Sequence, residues 1–163
     1  MKQTKIRWLA RSDMPAVLQI ENEQFPAPWT EQEFVDTLRN RRNIGPVADR
    51  DGEVCGFCVY RLYNFHLAIE NMAVSPRHTR KGIGRLLIEK LQSKLSAERR
   101  PSLRGVVADH NLDMQLFLQK LGFRAMKILY GHYDNSDAAA YVFACNYADL
   151  PGTRRRATDA AGH

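Results

Sequence analysis

The spacing of apolar residues predicts a strand and two helices in the N-terminal part of the chain. Residues 5–9, in which basic and apolar side chains alternate up to Trp8, are a short strand candidate. A helix is predicted from Ser12, a capping residue, to about Gln24. Thr30 and Glu33 have the spacing of a capping box, which predicts a second helix after a proline-rich break.

The middle of the chain changes to β-forming residues, which predict three strands. Residues 43–49 and 53–62 are joined by an Asp-Gly turn, a strong hairpin signal, and residues 66–74 follow as the third strand. Helical spacing returns in residues 82–98, so one face of this helix should pack on a sheet. The apolar residues of that face are Ile83, Leu86, Leu87, Ile88, Leu91 and Leu95.

The C-terminal part completes the order of elements. Residues 103–108 predict a short buried strand, and residues 111–121 predict a helix that Gly122 ends. Two strands follow, over residues 123–133 and 138–147. The order β-α-α-β-β-β-α-β-α-β-β predicts an α/β fold with a mixed sheet that is mostly antiparallel and locally parallel where the long helix crosses over.

Length and composition fit one globular domain. The chain has 163 residues, 44% of them apolar and 26% charged, which excludes disordered, collagen-like and coiled-coil classes. We expect a single domain over residues 1–150 and a basic, disordered tail over residues 151–163. No apolar run is long enough to span a membrane, and the N-terminal residues lack the apolar segment of a signal peptide, so we expect a cytoplasmic protein that does not bind membranes.

The basic charge of the chain is compatible with nucleic-acid binding but does not favour it. The formal net charge is +6, and residues 153–163, with three arginines and one aspartate, contribute +2 of it. The remaining arginines are scattered along the sequence without the aromatic interleaving that is typical of single-strand binding. We therefore do not expect direct nucleic-acid binding.

The cysteine pattern predicts neither a redox pair nor a metal site. Cys55 and Cys58 lie in a predicted strand, where positions three apart point to opposite faces. Their α-carbons would be about 10 Å apart, which is beyond disulfide reach. Both residues are expected to be buried strand cysteines, and Cys145 lies far away in sequence.

A basic, glycine-containing loop connects the third strand of the middle region to the long helix. Gly82 and Gly84 place no side chain between the backbone and a ligand, while Arg80, Lys81 and Arg85 add positive charge. The first amides of a helix lack internal partners, and the helix dipole favours an anion beside them. The loop therefore predicts a pyrophosphate site, although its glycines have neither the Walker nor the Rossmann spacing.

Three segments carry a resemblance to a known family. Residues 71–87 resemble motif A of the GNAT N-acetyltransferases, whose loop binds the pyrophosphate of acetyl-coenzyme A. Residues 21–34 are similar to the N-terminal helices of the RimI-type protein N-terminal acetyltransferases, and residues 111–123 to their motif B. The resemblance covers roughly Lys5 to Tyr147 and implies a GNAT fold, acetyl-CoA as the acetyl donor and no metal.

The resemblance also implies which residues contact the donor. The central strand would pair with the pantetheine arm and help to hold the thioester carbonyl. The loop and helix start would bind the pyrophosphate, and an asparagine at the start of motif B would contact the cofactor. These residues are Met72, Ala73, Val74, Arg80, Lys81, Gly82, Ile83, Gly84, Arg85 and Asn111.

Three positions depart from the family pattern. Thr79 replaces a Gln or Arg of the loop, Val106 replaces the carboxylate of the general base, and Leu118 replaces the tyrosine that protonates the departing thiolate. Because valine accepts no proton, an active chain needs a base from another position.

The candidate catalytic residues are Glu70, His110 and Tyr133. Glu70 lies on the central strand, and His110, whose imidazole can take up a proton, follows the fifth predicted strand. Tyr133 lies near the tyrosines that contact the acceptor peptide in RimI-like enzymes, and Tyr130 is its alternative. Each candidate also has a non-catalytic interpretation. Glu70 could be a surface carboxylate and His110 a loop histidine, while the two tyrosines could serve aromatic packing. Weaker candidates are His66 and His132.

The resemblance implies direct acetyl transfer to a protein or peptide α-amine. Phe25, Trp29 and Tyr130 would frame the acceptor groove, and the N-terminus of a ribosomal protein is the first substrate to test. Two alternatives stay open. One is a GNAT-fold module that binds acetyl-CoA, or a ribosomal or RNA surface, with weak or no turnover. The other is an acetyltransferase that acts on small-molecule amines.

Overall fold

The computed structural model describes residues 3–134 and 136–151, which form eight strands and four α-helices. The strands are β1 (Thr4–Trp8), β2 (Asn43–Ile44), β3 (Pro46–Arg50), β4 (Glu53–Leu62), β5 (His66–Val74), β6 (Ser102–Ala108), β7 (Arg124–Leu129) and β8 (Ala140–Asn146). The helices are α1 (Met14–Gln24), α2 (Glu31–Arg39), α3 (Ile83–Gln92) and α4 (Leu112–Lys120). The predicted order of elements is confirmed, with one strand more than expected.

The chain divides into two compact units. Residues 1–62 and 69–93 make up the first unit, and residues 63–68 and 94–163 make up the second. The single domain over residues 1–150 stays a prediction. Of the predicted tail, residues 152–163 lie outside the described residues.

The first unit contains an antiparallel set of strands. β3 pairs with β1 on one side and with β4 on the other, and β2 pairs with the C-terminal part of β4. The predicted strand over residues 43–49 is interrupted at Gly45, whose carbonyl accepts a hydrogen bond from the amide of Leu9 at 2.9 Å. The next residue, Pro46, has no amide hydrogen to donate to a ladder, and one predicted strand becomes two.

Helices α1 and α2 bury their apolar residues against the strands of the first unit. Phe34 of α2 is fully buried, and its ring packs edge-on against Phe57 of β4 with the centroids 5.6 Å apart. The predicted cap of α2 is confirmed, since the Thr30 hydroxyl accepts from the amide of Glu33 at 3.1 Å. The core residues of this cluster are Met14, Val17, Ile20, Phe34, Val47, Phe57, Val59 and Ala73.

The second unit is built around β8, which lies between β6 and β7. Both pairings are antiparallel, and the β7 ladder shifts register by a bulge between Ala125 and Lys127. Leu103 and Phe143 are buried on one face of these strands, and Leu118 of α4 is buried as well. Strand β7 lies at the end of this strand order, so its other edge has no partner strand among the described residues.

Several predicted boundaries are wrong. Helix α3 ends at Gln92, where the prediction extended to residue 98, because the following Ser93 hydroxyl bonds back to the carbonyl of Lys90 at 2.6 Å. Of the predicted apolar face, Leu86 is partly exposed, while Ile83 and Leu91 are buried. Strand β7 ends at Leu129, short of the predicted residue 133.

The cysteine interpretation is confirmed. The three thiols are free and buried, and the Cys55 thiol lies 3.3 Å from the carbonyl of Ala48. Burial raises the pKa of the Cys58 thiol, which opposes formation of a reactive thiolate. Within the described ranges, no group of three potential ligands for a metal ion occurs, and no helix is long and apolar enough to cross a membrane.

Candidate active site

The N-terminus of α3 presents an anion-binding backbone. The first helical hydrogen bond runs from the amide of Leu86 to the carbonyl of Gly82 at 3.0 Å, which leaves the preceding amides of the helix without a helical acceptor. Arg80 and Gly82 have positive φ angles of 60° and 75°, the kind of backbone that forms concave anion sites. A side chain added at Gly82 would meet no atom within 4 Å, so space is open beside these amides.

The charges of this loop favour a bound phosphate. Arg80 and Lys81 are exposed, and Arg85 on the first turn of α3 forms an exposed ion pair with Glu89, with Nε and Oε1 2.7 Å apart. The predicted pyrophosphate residues therefore lie together, because they are contiguous in sequence. Open space, unpaired amides and positive charge fit the diphosphate of acetyl-CoA.

A short 3₁₀ turn, Pro76–His78, connects β5 to the loop. The Ser75 amide donates to the carbonyl of Cys55 at 2.8 Å, which ties the start of the turn to β4. The His78 side chain is buried, with Nε2 3.6 Å from a carboxylate oxygen of Glu53. The loop therefore leaves the strand from a fixed position.

Helix α3 packs closely on β4 at a glycine. A β-carbon added at Gly56 would lie 2.9 Å from Cγ2 of Ile83 and 3.2 Å from the carbonyl oxygen of Ala73. Ile83 is the first residue of α3, so this contact sets the height of the helix N-terminus above the strand. Glycine is required here by space, since its φ is in the ordinary range.

The strand residues expected to line the donor are only partly accessible. Ala73 is buried, whereas Met72 and Val74 are half-buried. The carbonyl of Val74 accepts a hydrogen bond from the Gln24 side chain at 2.7 Å, so this backbone acceptor is already used. Glu70, on the same strand, is exposed.

A buried carboxylate that the sequence did not single out organises this region. Glu21 of α1 is 2% exposed, and its Oε2 accepts from Nδ2 of Asn71 at 2.8 Å. Its Oε1 accepts from the backbone amide of Trp29 at 3.0 Å. One side chain therefore positions both the central strand and the loop after α1. The only sequence signal for it is a glutamate on an otherwise apolar helix face.

The two aromatic residues predicted for the acceptor groove pack at the edge of the core of the first unit. Phe25 and Trp29 are half-buried against the cluster around Phe34. The Trp29 ring meets Phe34 edge-on, with the centroids 5.1 Å apart. Both residues therefore combine a packing contact with an accessible edge.

In the second unit, the end of β6 and the start of α4 carry polar candidates. Asn111 caps α4, its side-chain oxygen accepting from the amide of Met114 at 3.2 Å. His110 is exposed, and its Nδ1 lies 3.3 Å from Oδ1 of Asp109. The other oxygen of Asp109 accepts from the amide of Ala139 at 3.1 Å, which fixes the carboxylate beside the histidine.

The two candidate tyrosines lie in the loop after β7, which corrects their predicted place in a strand. Gly131 has a φ of 66°, so the chain leaves the extended conformation between them. Tyr130 is exposed, whereas Tyr133 is half-buried and meets the His132 ring edge-on at 4.9 Å. Burial raises the pKa of the Tyr133 phenol, and the charge of Asp109 raises it further.

Of the three positions that depart from the family pattern, the two that replace the base and the acid differ in their surroundings. Val106 is 43% exposed on β6, with Val142 of β8 directly opposite, so an apolar side chain stands where a base was expected. Leu118 is 2% exposed in the core of the second unit. Leu118 therefore serves packing, and no hydroxyl is available at this position.

Of the weaker histidine candidates, His66 is in a packed position, whereas His132 is exposed beside Tyr133. The imidazole of His66 stacks on the Tyr63 ring, with the centroids 4.6 Å apart. Burial lowers the pKa of His66, and the positive charge of Arg104 lowers it further. A stacked, neutral histidine is consistent with a structural role.

An anion-binding helix start after the central strand, in a fold of this element order, defines an acyl-coenzyme A dependent transferase. The chain matches the acetyltransferase (GNAT) family over residues 14–123 and belongs to that family. It is an acetyl-CoA-dependent N-acetyltransferase, and the predicted fold, donor and reaction are confirmed.

The chain is similar to enzymes that modify a ribosomal protein. It is 26% identical to the [ribosomal protein bS18]-alanine N-acetyltransferase of Escherichia coli K12, over 79% of this chain and 86% of that one. The crystal structure of the Escherichia coli ribosomal-protein-S18-alanine N-acetyltransferase matches with a TM-score of 0.79 at 25% identity, covering 89% of this chain and 94% of that chain. The putative Bacillus subtilis enzyme of the same name is 28% identical, over 85% and 93% of the two chains.

The same fold occurs in a structure that contains the donor. Arabidopsis thaliana NAA60 in complex with acetyl-CoA has a TM-score of 0.77 at 19% identity, with 88% of this chain and 99% of that chain covered. At this identity the likeness concerns the fold alone.

Proposed function

We propose that this N-acetyltransferase acts on the N-terminal α-amine of a protein. The similarity to the bS18-alanine N-acetyltransferases supports a polypeptide acceptor and makes a ribosomal protein the first substrate to test. The observation that supports binding of acetyl-CoA is the loop before α3. Arg80 and Gly82 in this loop have positive φ angles, and the first amides of α3 have no helical acceptor. We also propose a cytoplasmic location, because the bacterial relatives are named for a ribosomal acceptor.

The loop and helix start hold the donor in this proposal. Backbone amides of Ile83, Gly84 and Arg85 would donate to the diphosphate, and Arg80 and Lys81 would add charge. Met72 and Ala73 would present backbone groups to the pantetheine arm, and Asn111 would contact the cofactor. Acetyl-CoA supplies the acetyl group as a thioester, which makes the carbonyl carbon open to attack.

His110 is our first candidate for the base. An ammonium has no lone pair, so the acceptor amine must lose a proton before it attacks. His110 would take this proton, and Asp109, at 3.3 Å from its Nδ1, would stabilise the resulting imidazolium. Glu70 is the alternative base, since its carboxylate is exposed on the central strand. Tyr133 would donate its phenolic proton to the sulfur as the carbon–sulfur bond breaks.

A second candidate function has one observation in its favour. Val106 puts an apolar side chain at the position of the family base, which favours a module that binds acetyl-CoA with little turnover. Such a module would bind the donor normally but would release thiol at the same rate with and without an acceptor.

Thiol release from acetyl-CoA separates these functions. The acceptors are N-terminal peptides, including those of ribosomal proteins, and polyamines, with a reaction that lacks acceptor as the blank. We expect peptide-dependent release and a fall of about a hundredfold for His110→Ala, with Glu31→Gln on the exposed first turn of α2 as the unaffected control. Turnover with polyamines alone would contradict the peptide acceptor. A loss of activity in Glu70→Gln but not in His110→Ala would assign the base to Glu70.

A further inference from the structure

Three cations share one face of the strands in the second unit. The register places Arg104, Ala144 and Arg124 in one row across β6, β8 and β7. The next row on the same face contains Val106, Val142 and Lys127. Val106 and Val142 are each two residues from the first row and so point to the same side. In β7 the bulge between Ala125 and Lys127 brings Lys127, three residues from Arg124, opposite Val142. We call the face formed by these two rows the cationic face.

The positive charge of this face is not neutralised locally. The strands β6, β7 and β8 contain no aspartate or glutamate, and none of the ion pairs among the described residues includes Arg104, Arg124 or Lys127. Arg104 donates only a long hydrogen bond, 3.4 Å, to the hydroxyl of Ser102. Its charge is felt by a neighbour, since it contributes to the lowered pKa of His66.

The floor between the cations is apolar and small. Val142 and Ala144 on the middle strand are buried, and Val106 is exposed at the β6 end of its row. The rows contain no aromatic ring, so the face offers nothing on which a nucleobase would stack. Small apolar side chains between cations fit an extended peptide with carboxylates better than they fit a nucleic acid.

The face leads to the candidate catalytic residues of the same unit. The next row on this side is Ala108, Ala140 and Leu129. Both outer strands end at this row, and the chain continues from β6 to His110 and from β7 to Tyr130. With a rise of about 3.3 Å per residue, the Val106 row is about 7 Å and the Arg104 row about 13 Å from the Ala108 row. An extended peptide has the same rise, so its first residue at the Ala108 row would put its third and fifth residues at the two cationic rows.

We propose that the cationic face selects acceptors with acidic side chains at their third and fifth residues. The inference rests on the proposed transfer to a protein N-terminus and narrows its substrate class. Lys127 would bind the carboxylate of the third residue, and Arg104 with Arg124 would bind that of the fifth. Val106, which cannot act as a base, would form the apolar floor beneath the peptide backbone.

A matched peptide series tests this selection. The peptides have identical first, second and fourth residues and carry Glu, Gln or Lys at the third and fifth positions. We expect each glutamate to raise kcat/KM about two- to fivefold over glutamine, mainly through KM, and lysine to lower it. The preference should shrink in about 0.5 M salt, because exposed charges are screened.

Charge-neutralising variants locate the selection. Lys127→Gln should remove the preference at the third residue. Arg104→Gln should weaken the preference at the fifth, where Arg124 remains. Lys120→Gln at the exposed end of α4 changes the net charge equally and should leave both preferences intact. Equal use of Glu and Gln peptides by the unmodified protein would overturn the inference while the proposed function stands. If no peptide is acetylated, the proposed function itself fails. A single-stranded RNA that inhibits the reaction as strongly as a competing acidic peptide does would also overturn the inference, because the face would then not be selective for peptides.

Discussion

At the residue scale, the surroundings of Tyr133 in the second unit suit the role of proton donor that we propose for it. Tyr133 is half-buried near the charge of Asp109, and both influences raise the pKa of its phenol. A raised pKa keeps the hydroxyl protonated at pH values where an ordinary tyrosine, with a pKa near 10, begins to ionise. The charge of Asp109 therefore acts on two candidate residues, Tyr133 and His110, since its carboxylate also lies against the histidine.

The Tyr133→Phe variant tests the phenol as the acid. We expect kcat to fall about tenfold, a modest loss because coenzyme A thiolate is a fair leaving group. The unmodified protein should keep its rate as the pH rises through 10 and lose it only above the raised pKa, whereas the variant should show no such loss. The measurement is kcat against pH, with Tyr130→Phe as the control on the exposed neighbour. An unchanged kcat in Tyr133→Phe would exclude the phenol as the acid.

At the scale of elements, the position of α3 depends on a glycine in β4. The start of α3 comes so close to Gly56 that no side chain fits between them. Because the loop with Arg80 and Gly82 ends at the first residue of α3, a shift of this helix would move the amides that we propose bind the donor. Packing beneath the loop and affinity for acetyl-CoA should therefore change together.

The Gly56→Ala variant tests this coupling. We expect a loss of about 1–3 kcal/mol in the free energy of unfolding from overpacking, with a weaker Kd for acetyl-CoA. The measurements are denaturant unfolding and calorimetric titration of the donor. Gly45→Ala is the matched control, since its added β-carbon would lie 3.1 Å from a flexible methyl of Leu38, away from the loop. It should leave the affinity for the donor unchanged. An unchanged Kd for acetyl-CoA in Gly56→Ala would show that packing beneath the loop and affinity for the donor are independent.

At the scale of the whole molecule, the change in stability with pH depends in part on one arginine with two carboxylates. The guanidinium of Arg7 in β1 bonds both oxygens of Asp13, at 2.7 and 2.9 Å, and Oδ2 of Asp49 in β3 at 2.9 Å. Both carboxylates are buried, and Arg7 holds their pKa values below the ordinary range. A depressed carboxyl pKa stabilises the fold above the pKa of the unfolded chain, and this stabilisation is lost as the pH falls through the folded value.

The Arg7→Leu variant should therefore be less stable at neutral pH and nearly as stable as the unmodified protein in acid. We expect a difference of about 2 kcal/mol in the free energy of unfolding near pH 7, because two buried carboxylates lose their cation. The difference should shrink below about pH 4, as both aspartates take up protons. Urea unfolding at several pH values measures it. Arg39→Leu, which breaks an exposed pair with Asp36, should change stability by less than about 0.5 kcal/mol at any pH. A difference for Arg7→Leu that does not depend on pH would contradict this account.

Much of the candidate site could be predicted because its signals are local. The loop around Gly82 and the capping residues Thr30 and Asn111 each act within a few positions of themselves. Glu21 could not be predicted, since its partner Asn71 is fifty positions away. The loop position of Tyr133 was also missed, because β7 ends where its pairing with β8 ends.

The sequence by itself determined the order of elements, the fold class and the anion-binding loop of this acetyltransferase. Capping, turn chemistry and apolar spacing are interactions between residues close in the chain, so they can be recognised without coordinates. Only the tertiary structure decided that Arg104, Arg124 and Lys127 share one face, and that Arg7 joins two carboxylates. Pairing across strands brings distant positions together, and the energy of these contacts depends on burial and register, which the linear pattern does not contain.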